Sequence, residues 1–558
     1  MSDKRVRVLF YTIWFLTLVL QARYSDLVGD EAYYWLFSED LAWGYFDHPP
    51  VTALLIKAGY FLFPNELGVR FFFVLLITLT IYLTEKLIKP ANLKLFYCIV
   101  LSIAILPIGL AFGGGMFAIP DFPLLFFLIV YLHLYNYYLR NPSSWVIIIL
   151  LSVVICLLLL SKYHGMLVVG FTVVSNLDLL KKKSFWIIAV LTTLLFLPHV
   201  LWQYAHDFVS IKYHLRSGQA FTVFNTLEYL FTQPFVLGPL IGVILVYLGF
   251  VYKPNNLFER SLKFIVVGTY LFFFILTLKG GVEANWTIIT LIPLLYIGYK
   301  KIVESKKLRK IVFVSFIISF PLILAARLFL VWNFLPDSLN ISKYHDANRW
   351  VQELKKKSDG NPVVFMNSYQ NASIYKFYSD VEAISLNNVW GRENQFSVWD
   401  SEAKLQGKTI TLVTHPSRKE NDSIFIANAY LPYIHIDNFR SYSNVAISVN
   451  VQEPIFEKPG ASSVIKVRFD YRNDNVRDFE ANEEFPSYVS YSFFRNSEVF
   501  EMRVSDLLIH NEMLFSGKEY EVIITAPTEP GTYNLYLSIK TGWLPPTFNG
   551  EDIRFIVE

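Results

Sequence analysis

Residues 145–165 read WVIIILLSVVICLLLLSKYHG, and this stretch sets the kind of fold that the chain can adopt. From Trp145 to Ser161 it carries no charged side chain. A membrane-spanning helix needs about 20 mostly apolar residues, so the run predicts a transmembrane helix. The polar SKYHG that follows predicts a hinge at the membrane surface, because another apolar run begins directly after it.

The whole chain has the composition of a membrane protein. Of its 558 residues, 54% are hydrophobic and only 17% are charged, and the mean hydropathy is +0.39. Soluble domains are nearer a quarter charged. These values exclude a disordered chain, a nucleic-acid-binding module and an ordinary soluble enzyme.

Further apolar runs predict about 11 transmembrane helices in all. The runs cover residues 6–23, 68–88, 94–113, 120–139, 145–161, 163–180, 184–202, 234–252, 262–279, 285–300 and 311–332. Most Lys and Arg residues fall in the loops on the side of the N-terminus, so the positive-inside rule places the N-terminus in the cytoplasm. An odd number of spans then places the C-terminal part on the extracytoplasmic face of the cell (inner) membrane. A cleaved signal peptide is the alternative for the first run, and it leaves the remaining topology unchanged.

The charge changes sign near residue 340. Residues 1–340 have a net charge of +10, whereas residues 341–558 have a net charge of −7. We therefore predict a transmembrane domain over residues 1–335 and two extracytoplasmic domains after it. Residues 341–440 show the mixed helix and strand patterns of a small α/β domain, and residues 441–558 show the short alternating strands of a β-sandwich.

Two segments of the predicted α/β domain combine polar and aromatic residues. Residues 368–371 read SYQN, and residues 392–396 read RENQF. Sugar-facing surfaces often have this composition, although ordinary loops are the alternative interpretation.

Carboxylates gather on the predicted outer face of the transmembrane domain. Asp30 and Glu31 follow the first span, Asp47 precedes His48 and two prolines, and Asp121 opens a later span after a glycine-rich turn. Ionisable groups at the edge of the hydrocarbon are costly and indicate function, although Asp121 also suits a helix N-cap. A carboxylate in such a place can act as a general base.

Cations and histidines occupy the same predicted outer loops. Lys162 lies in the hinge, His206 and Arg216 in a long loop, and Lys279 before a Gly-Gly turn. With His48, these groups are candidates to bind a phosphate and to stabilise it as it leaves. Snorkelling side chains and ordinary polar loops are the alternatives.

Aromatic and polar neighbours complete the predicted site. Residues 33–41 form a short amphipathic stretch that predicts a helix lying along the membrane surface. The candidate substrate-binding residues are Tyr34, Tyr45, Glu283, Asn285 and Trp286.

Charged groups on one face of an apolar body suit a substrate with a phosphate head and a lipid tail. The sequence contains no P-loop, GxGxxG or HExxH motif. A lipid-linked-sugar transporter or flippase with an accessory outer domain is the alternative. A structural or assembly protein would leave Asp30, Asp47 and Asp121 unexplained.

Five segments, in chain order, resemble the bacterial glycosyltransferase family 39, a group that includes protein O-mannosyltransferases and the lipid A aminoarabinose transferase. Besides the acidic pair of the first outer loop, they are YFDHPP at 45–50, IPDFPLLFF at 119–127, LLSKYHG at 159–165 and EANW at 283–286. The resemblance covers about residues 1–335 and implies the GT-C fold of multi-span membrane enzymes.

The resemblance also implies a reaction. It is the inverting transfer of a sugar from a polyprenyl-phosphate donor to a protein, lipid or glycan acceptor, at a site on the extracytoplasmic face. Asp30 matches the catalytic aspartate of the first loop, the general base, and Asp47 and Asp121 match two further acidic positions. His48 stands where the aminoarabinose transferase carries Lys. Some relatives bind a divalent metal near an acid–His pair, which makes Asp47 and His206 candidate ligands, and others need none; no cofactor is firmly predicted.

Overall fold

The computed structural model describes residues 3–103, 116–216, 222–238, 240–334, 344–416, 422–426, 429–451, 453–471, 485–495 and 498–558. The chain divides into two compact units, which we call the helical unit, Met1–His345, and the C-terminal unit, Asp346–Glu558.

The apolar runs of the helical unit form helices. They are α1 Asp3–Tyr24, α2 Gly29–Glu39, α3 Val51–Leu62, α4 Glu66–Ile88, α5 Leu93–Ile103, α6 Asp121–Tyr138, α7 Trp145–Ser161, α8 Gly165–Ser175, α9 Lys183–Ala205, α10 Val209–Arg216, α11 Val223–Val236, α12 Ile241–Val251, α13 Leu257–Leu276, α14 Leu291–Glu304 and α15 Lys306–Val331. Short 3₁₀ helices cover Leu177–Lys181 and Ala284–Thr290.

Several of these helices are long enough to cross a membrane. Within the described residues, five segments pass by length and composition: α1, α4, α9, Ala284–Glu304 and α15. The pair α11 and α12 adds a sixth if its 104° bend lies within one broken span. Each of the 11 predicted runs overlaps a helix, and the run 94–113 continues beyond the described residues. The number of crossings therefore stays a prediction.

Close helix packing depends on glycine where α3 meets α4. A Cβ on Gly59 would lie 2.1 Å from the carbonyl oxygen of Gly68, and one on Gly68 would lie 1.8 Å from that of Phe63. Because only glycine fits at such distances, these two positions let the short helix α3 lie directly against the first turns of α4.

Helix α2 covers most of the stretch 33–41, for which a helix along the membrane surface was predicted. Tyr33, Phe37 and their neighbours through Ser38 are buried. The apolar side chains of α2 point in more than one direction, and the protein covers them. The direction of α2 relative to the membrane stays a prediction.

The C-terminal unit begins with an α/β arrangement. Its helices are α16 Ala347–Lys357, α17 Tyr369–Ser379 and α18 Gln395–Val398. The strands are β1 Val363–Met366, β2 Ala383–Leu386, β3 Ile410–Val413, β4 Ser423–Ile426 and β5 Ala429–Ile436. They form one sheet with the order β2-β1-β3-β5-β4. Strand β1 is parallel to both β2 and β3, whereas β5 is antiparallel to its neighbours.

Two further sheets follow. Their strands are β6 Val445–Val449, β7 Ile455–Glu457, β8 Ser462–Tyr471, β9 Ser487–Arg495, β10 Glu498–Leu508, β11 Tyr520–Thr525, β12 Gly531–Thr541 and β13 Ile553–Val557, with the short helix α19 Asn511–Phe515 between β10 and β11. The strand orders are β10-β9-β12-β13-β7 in one sheet and β11-β8-β6 in the other. Alternate side chains of both sheets, such as Val467, Phe493 and Leu535, share one buried core. This is the expected sandwich pattern.

Candidate active site

An Arg–Glu pair fixes the start of α2. Arg70 and Glu31 are fully buried, and Arg70 donates from Nε to Oε1 over 2.7 Å and from Nη2 to Oε2 over 2.5 Å. Arg70 also donates to the carbonyl oxygens of Ala22, Ser25 and Asp26. These five bonds equal the number of N–H donors in a guanidinium, so the side chain can hold the end of α1 and the start of α2 together.

Glu31 accepts further hydrogen bonds from the backbone. Val28 N–H donates to Oε2 over 3.2 Å, and Ala118 N–H donates to Oε1 over 2.8 Å. Both carboxylate oxygens are therefore engaged, which suits a positioning role better than the catalytic role predicted for Glu31. Asp30 precedes it in the first turn of α2 and is half-buried.

A second buried ion pair joins α6 to the hinge after α7. Lys162 Nζ lies 2.8 Å from Asp121 Oδ1, with side-chain exposures of 7% and 3%. Asn285 donates from Nδ2 to Asp121 Oδ2 over 3.4 Å. Three of the predicted site residues, from three separate segments, thus meet in one cluster.

Three histidines lie near one another and near Lys162, with His164 at the centre of the group. Lys162, His48 and His214 all lie near enough to His164 to interact with it electrostatically. His164 Nδ1 is buried and has no hydrogen-bond partner among the described residues. Trp286 lies edge-on to His164, with 5.7 Å between ring centroids.

His214 connects this cluster to the first outer loop. Its Nε2–H donates to the carbonyl oxygen of Asp47 over 3.3 Å. Burial lowers the pKa of His214, and the charge of Lys162 lowers it further, although the bond to Asp47 acts in the opposite direction. The side chain of Asp47 is itself 7% exposed.

A chain of hydrogen bonds orients the hinge residue Tyr163. His199 donates from Nδ1 to the carbonyl oxygen of Trp43 over 2.6 Å, and Nε2 of the same ring lies 3.2 Å from the Tyr163 hydroxyl. Gln203 donates from Nε2 to that hydroxyl over 3.0 Å and to Ser210 Oγ over 2.7 Å. The chain links the hinge, α9, α10 and the first outer loop.

Tyr45 belongs to the framework of the first outer loop. Its hydroxyl donates to the carbonyl oxygen of Phe37 over 2.9 Å and accepts from the backbone N–H of Ala42 over 3.0 Å. The ring is fully buried and stacks on Phe37 at 4.2 Å. Burial raises the pKa of Tyr45 to about 12. These contacts suit a structural role better than the predicted contact with substrate, whereas Tyr34, although buried, lies 5.4 Å edge-on from His48.

The remaining predicted residues lie at the edge of the cluster or outside it. His206 ends α9, donates from Nδ1 to the Trp202 carbonyl over 2.8 Å and stacks on that indole at 4.1 Å. The side chains of Lys279 and Glu283 are exposed on the turn before the 3₁₀ helix Ala284–Thr290. The side chain of Arg216 lies outside the described residues.

Metal ligands are not grouped in the described parts of the chain. Across those ranges, no three His, Cys, Asp or Glu side chains are arranged to hold a metal ion. Asp47 and His206, the two candidate ligands, therefore lack a third ligand there, and we derive no step through a metal.

The sequence-based site omitted Arg70, Tyr163, His199 and Gln203. Arg70 and His199 stand inside apolar helices, α4 and α9. An ionisable residue within a predicted span indicates a functional or pairing role, and this signal was sufficient to find both. Tyr163 and Gln203 gave no comparable signal, because both side chains are ordinary at the end of a membrane helix.

The comparison with solved structures identifies the fold. The structure of ArnT from Cupriavidus metallidurans bound to undecaprenyl phosphate matches with a TM-score of 0.52 and 13% identity, covering 74% of this chain and 94% of ArnT. Its apo structure matches with a TM-score of 0.50 and the same identity and coverage. No family model matches the sequence, and no curated protein matches it.

The predicted fold class is therefore confirmed. The chain has the GT-C fold of a helical membrane unit, which ArnT shares, followed by a sheet-containing unit. At 13% identity, the similarity establishes the architecture and leaves the reaction to be argued from the site.

Proposed function

We propose that the chain is an integral-membrane glycosyltransferase. It moves a sugar from a polyprenyl-phosphate donor to an acceptor on the extracytoplasmic face, by an inverting single displacement. The observation that carries the proposal is the cluster around Lys162 and Asp121, on a fold that ArnT shares and in which ArnT binds undecaprenyl phosphate. The sugar is a hexose or a pentose.

The phosphate side of the reaction needs positive charge and hydrogen-bond donors. Lys162 has three N–H donors, of which Asp121 takes one in the contacts of the described residues. The buried Nδ1 of His164 is a further group that a phosphate oxygen could satisfy. Because Lys162 and Asp121 are buried, such donors act more strongly on the leaving phosphate than they would in solvent.

Asp121 in this scheme holds Lys162 in place. An isolated buried charge is expensive, so a buried ammonium needs a counter-charge. The Asp121 carboxylate supplies it and fixes the direction of the Lys162 side chain. Asn285 holds the second oxygen of the same carboxylate.

The acceptor side needs a base. We assign this role to Asp30, which the Glu31–Arg70 pair positions at the start of α2. The acceptor oxygen or nitrogen attacks the anomeric carbon, the bond from that carbon to the phosphate oxygen breaks, and the acceptor proton passes to the Asp30 carboxylate. The lipid phosphate leaves with the electron pair and needs no proton. Asp47, held through its backbone by His214, is the second carboxylate on this side.

Mass spectrometry of cells tests the proposal. Lipids and glycoconjugates are compared among cells that make the wild-type chain, cells that make Asp30→Asn and cells that make neither. A transferase predicts that one glycoconjugate appears only with the wild-type chain, while a polyprenyl-phosphate sugar accumulates in the other two strains. Identical profiles in all three strains would contradict it. Movement of the lipid across the membrane without any transfer product would favour the flippase instead.

A further inference from the structure

The α/β sheet of the C-terminal unit has an edge at which such sheets commonly bind ligands, and the proposed reaction does not use it. In its α/β sheet, β1 lies between β2 and β3 and is parallel to both. The chain leaves β1 for β2 on one side and then crosses to β3 on the other. The carboxyl ends of β1 and β3 therefore form a topological switch point, the place where open α/β sheets bind ligands.

Two asparagines interlock at the carboxyl ends of β1 and β2, next to this switch point. Asn367 follows β1, and Asn388 lies just after β2. Asn367 donates from Nδ2 to Asn388 Oδ1 over 2.9 Å, and Asn388 N–H donates to Asn367 Oδ1 over 2.9 Å. A Cβ on Gly391 would lie 2.4 Å from Asn367 Oδ1. The turn over residues 388–391 is thus held tightly against the sheet edge.

The turn exposes an indole. Trp390 donates its backbone N–H to Asn388 Oδ1 over 3.1 Å, while its side chain is 54% exposed. Beneath it, Asn388 is 1% exposed, and its Nδ2 has no hydrogen-bond partner in the described part of the chain. A buried amide donor without a partner is rare and calls for a ligand or a water.

Planar side chains continue the surface on both sides. Arg392 places its guanidinium over the ring of Tyr369 at 4.9 Å. On the other side, Val389 N–H donates to the carbonyl oxygen of Pro546 over 3.1 Å. That contact brings the turn against the loop after β12, which carries Trp543, itself 37% exposed.

We propose that this Trp390 surface, made of Asn367, Tyr369, Asn388, Trp390, Arg392 and Trp543, binds a carbohydrate chain. A sugar ring has a face of C–H groups that packs on an exposed indole, and a rim of hydroxyls that pair with amides and a guanidinium. The single cation of the surface already lies over Tyr369, so neutral hydroxyls fit it better than a phosphate or an acidic peptide does. The site does not depend on the proposed transferase activity; where both hold, the bound glycan is the acceptor or the product.

Ligand-observed NMR on the full-length chain in lipid nanodiscs tests this inference. The probes are maltotetraose, mannotetraose and chitotetraose, measured by saturation transfer and titration. We expect at least one of them to bind, and we expect Trp390→Ala to weaken that binding at least tenfold. Trp390→Phe, which keeps an aromatic ring, should retain most of it.

The matched control is Phe456→Ala. Phe456 is a 56% exposed aromatic on β7 of the sandwich, beside Ile556, which pairs with the start of β12, whereas Trp543 follows the end of β12. It should leave the affinity unchanged, as should Asp30→Asn in the helical unit. If none of the three sugars binds, or if Trp390→Ala binds as the wild type does, the inference is overturned. Binding that survives in Asp30→Asn while transfer fails separates this site from the proposed reaction.

Discussion

Replacing Arg70 by Met removes the charge that holds Glu31. Both side chains are fully buried, so the variant leaves an uncompensated carboxylate among apolar helices. Breaking a buried pair from one side costs about 3–5 kcal/mol in the free energy of unfolding. The three backbone carbonyls that Arg70 also satisfies lose their donors, so we expect a value toward the upper end of that range.

A second Arg–Glu pair, which joins α1 to α4, supplies the control. Arg23 of α1 lies 3.1 Å from Glu66 of α4, with side-chain exposures of 47% and 17%. Arg23→Met should cost about 0–1 kcal/mol, because exposed pairs contribute little. The stability of both variants is measured by equilibrium unfolding of the purified chain in mixed detergent micelles. Arg70→Met should also lose transfer activity, because the Glu31–Arg70 pair no longer positions Asp30.

The comparison between the two variants decides the matter. A destabilisation by Arg70→Met of less than about 1 kcal/mol, equal to that of Arg23→Met, would refute the reasoning, since buried and exposed pairs must differ if burial sets the cost. Full stability together with lost activity would mean that Arg70 acts in the reaction itself.

Two further perturbations follow from packing and from titration. Gly68→Ala should destabilise the helical unit by about 1–3 kcal/mol, since its Cβ would overlap the Phe63 carbonyl, whereas Gly170→Ala, with open space around it, should cost nothing; unfolding in micelles compares the two. Burial raises the pKa of Glu402, despite hydrogen bonds from Ser441 and Ser443 that lower it. The folded state therefore favours the protonated acid, and this contribution is complete below the unfolded pKa and is lost as pH rises through the folded one. The stability of the C-terminal unit within the full chain, measured by thermal unfolding, should therefore fall from pH 4.5 to pH 8. Glu402→Gln should remove that part of the pH dependence, and a variant whose stability changes with pH as the wild type's does would contradict this account.

The apolar runs predicted the long helices well. The run 68–88 became α4, Glu66–Ile88, and the run 184–202 became α9, Lys183–Ala205. Each has a continuous apolar stretch of membrane length, so composition alone determines it. Helix α3, Val51–Leu62, was not predicted, because 12 residues are too few for a membrane span. The sequence alone therefore assigns the segment to the first outer loop.

The sequence identified candidate site residues better than it identified which residues pair with one another. Asp121 and Lys162 were both singled out, but nothing in the chain shows that residues 41 positions apart form a buried pair. The same holds for Glu31, which was predicted as a catalytic acid beside Asp30: the sequence does not show that Arg70, 39 positions away, contacts both of its carboxylate oxygens. Pairing depends on how helices cross, which a local pattern does not contain.

In the polar segments of the C-terminal unit, too, the contacts and exposure of side chains were not evident from the sequence. The composition of residues 368–371 and 392–396 suited either ordinary loops or a sugar-facing surface, and the structure brings Tyr369 and Arg392 into contact. Trp390 gave no signal in sequence, because an indole is as frequent in a core as on a surface. Only the fold shows that it is exposed at the end of parallel strands.

Turnover by the purified chain tests the proposed transfer most directly. The wild-type chain and Asp30→Asn are placed in nanodiscs with polyprenyl-phosphate sugars and a membrane extract as acceptor, and the release of free polyprenyl phosphate is followed by mass spectrometry. A transferase with Asp30 as base predicts release by the wild-type chain and a rate about 10²–10⁴-fold lower for Asp30→Asn, with donor binding unchanged. Absence of release by the wild-type chain would contradict the proposed function, and full activity of Asp30→Asn would contradict the role of its base.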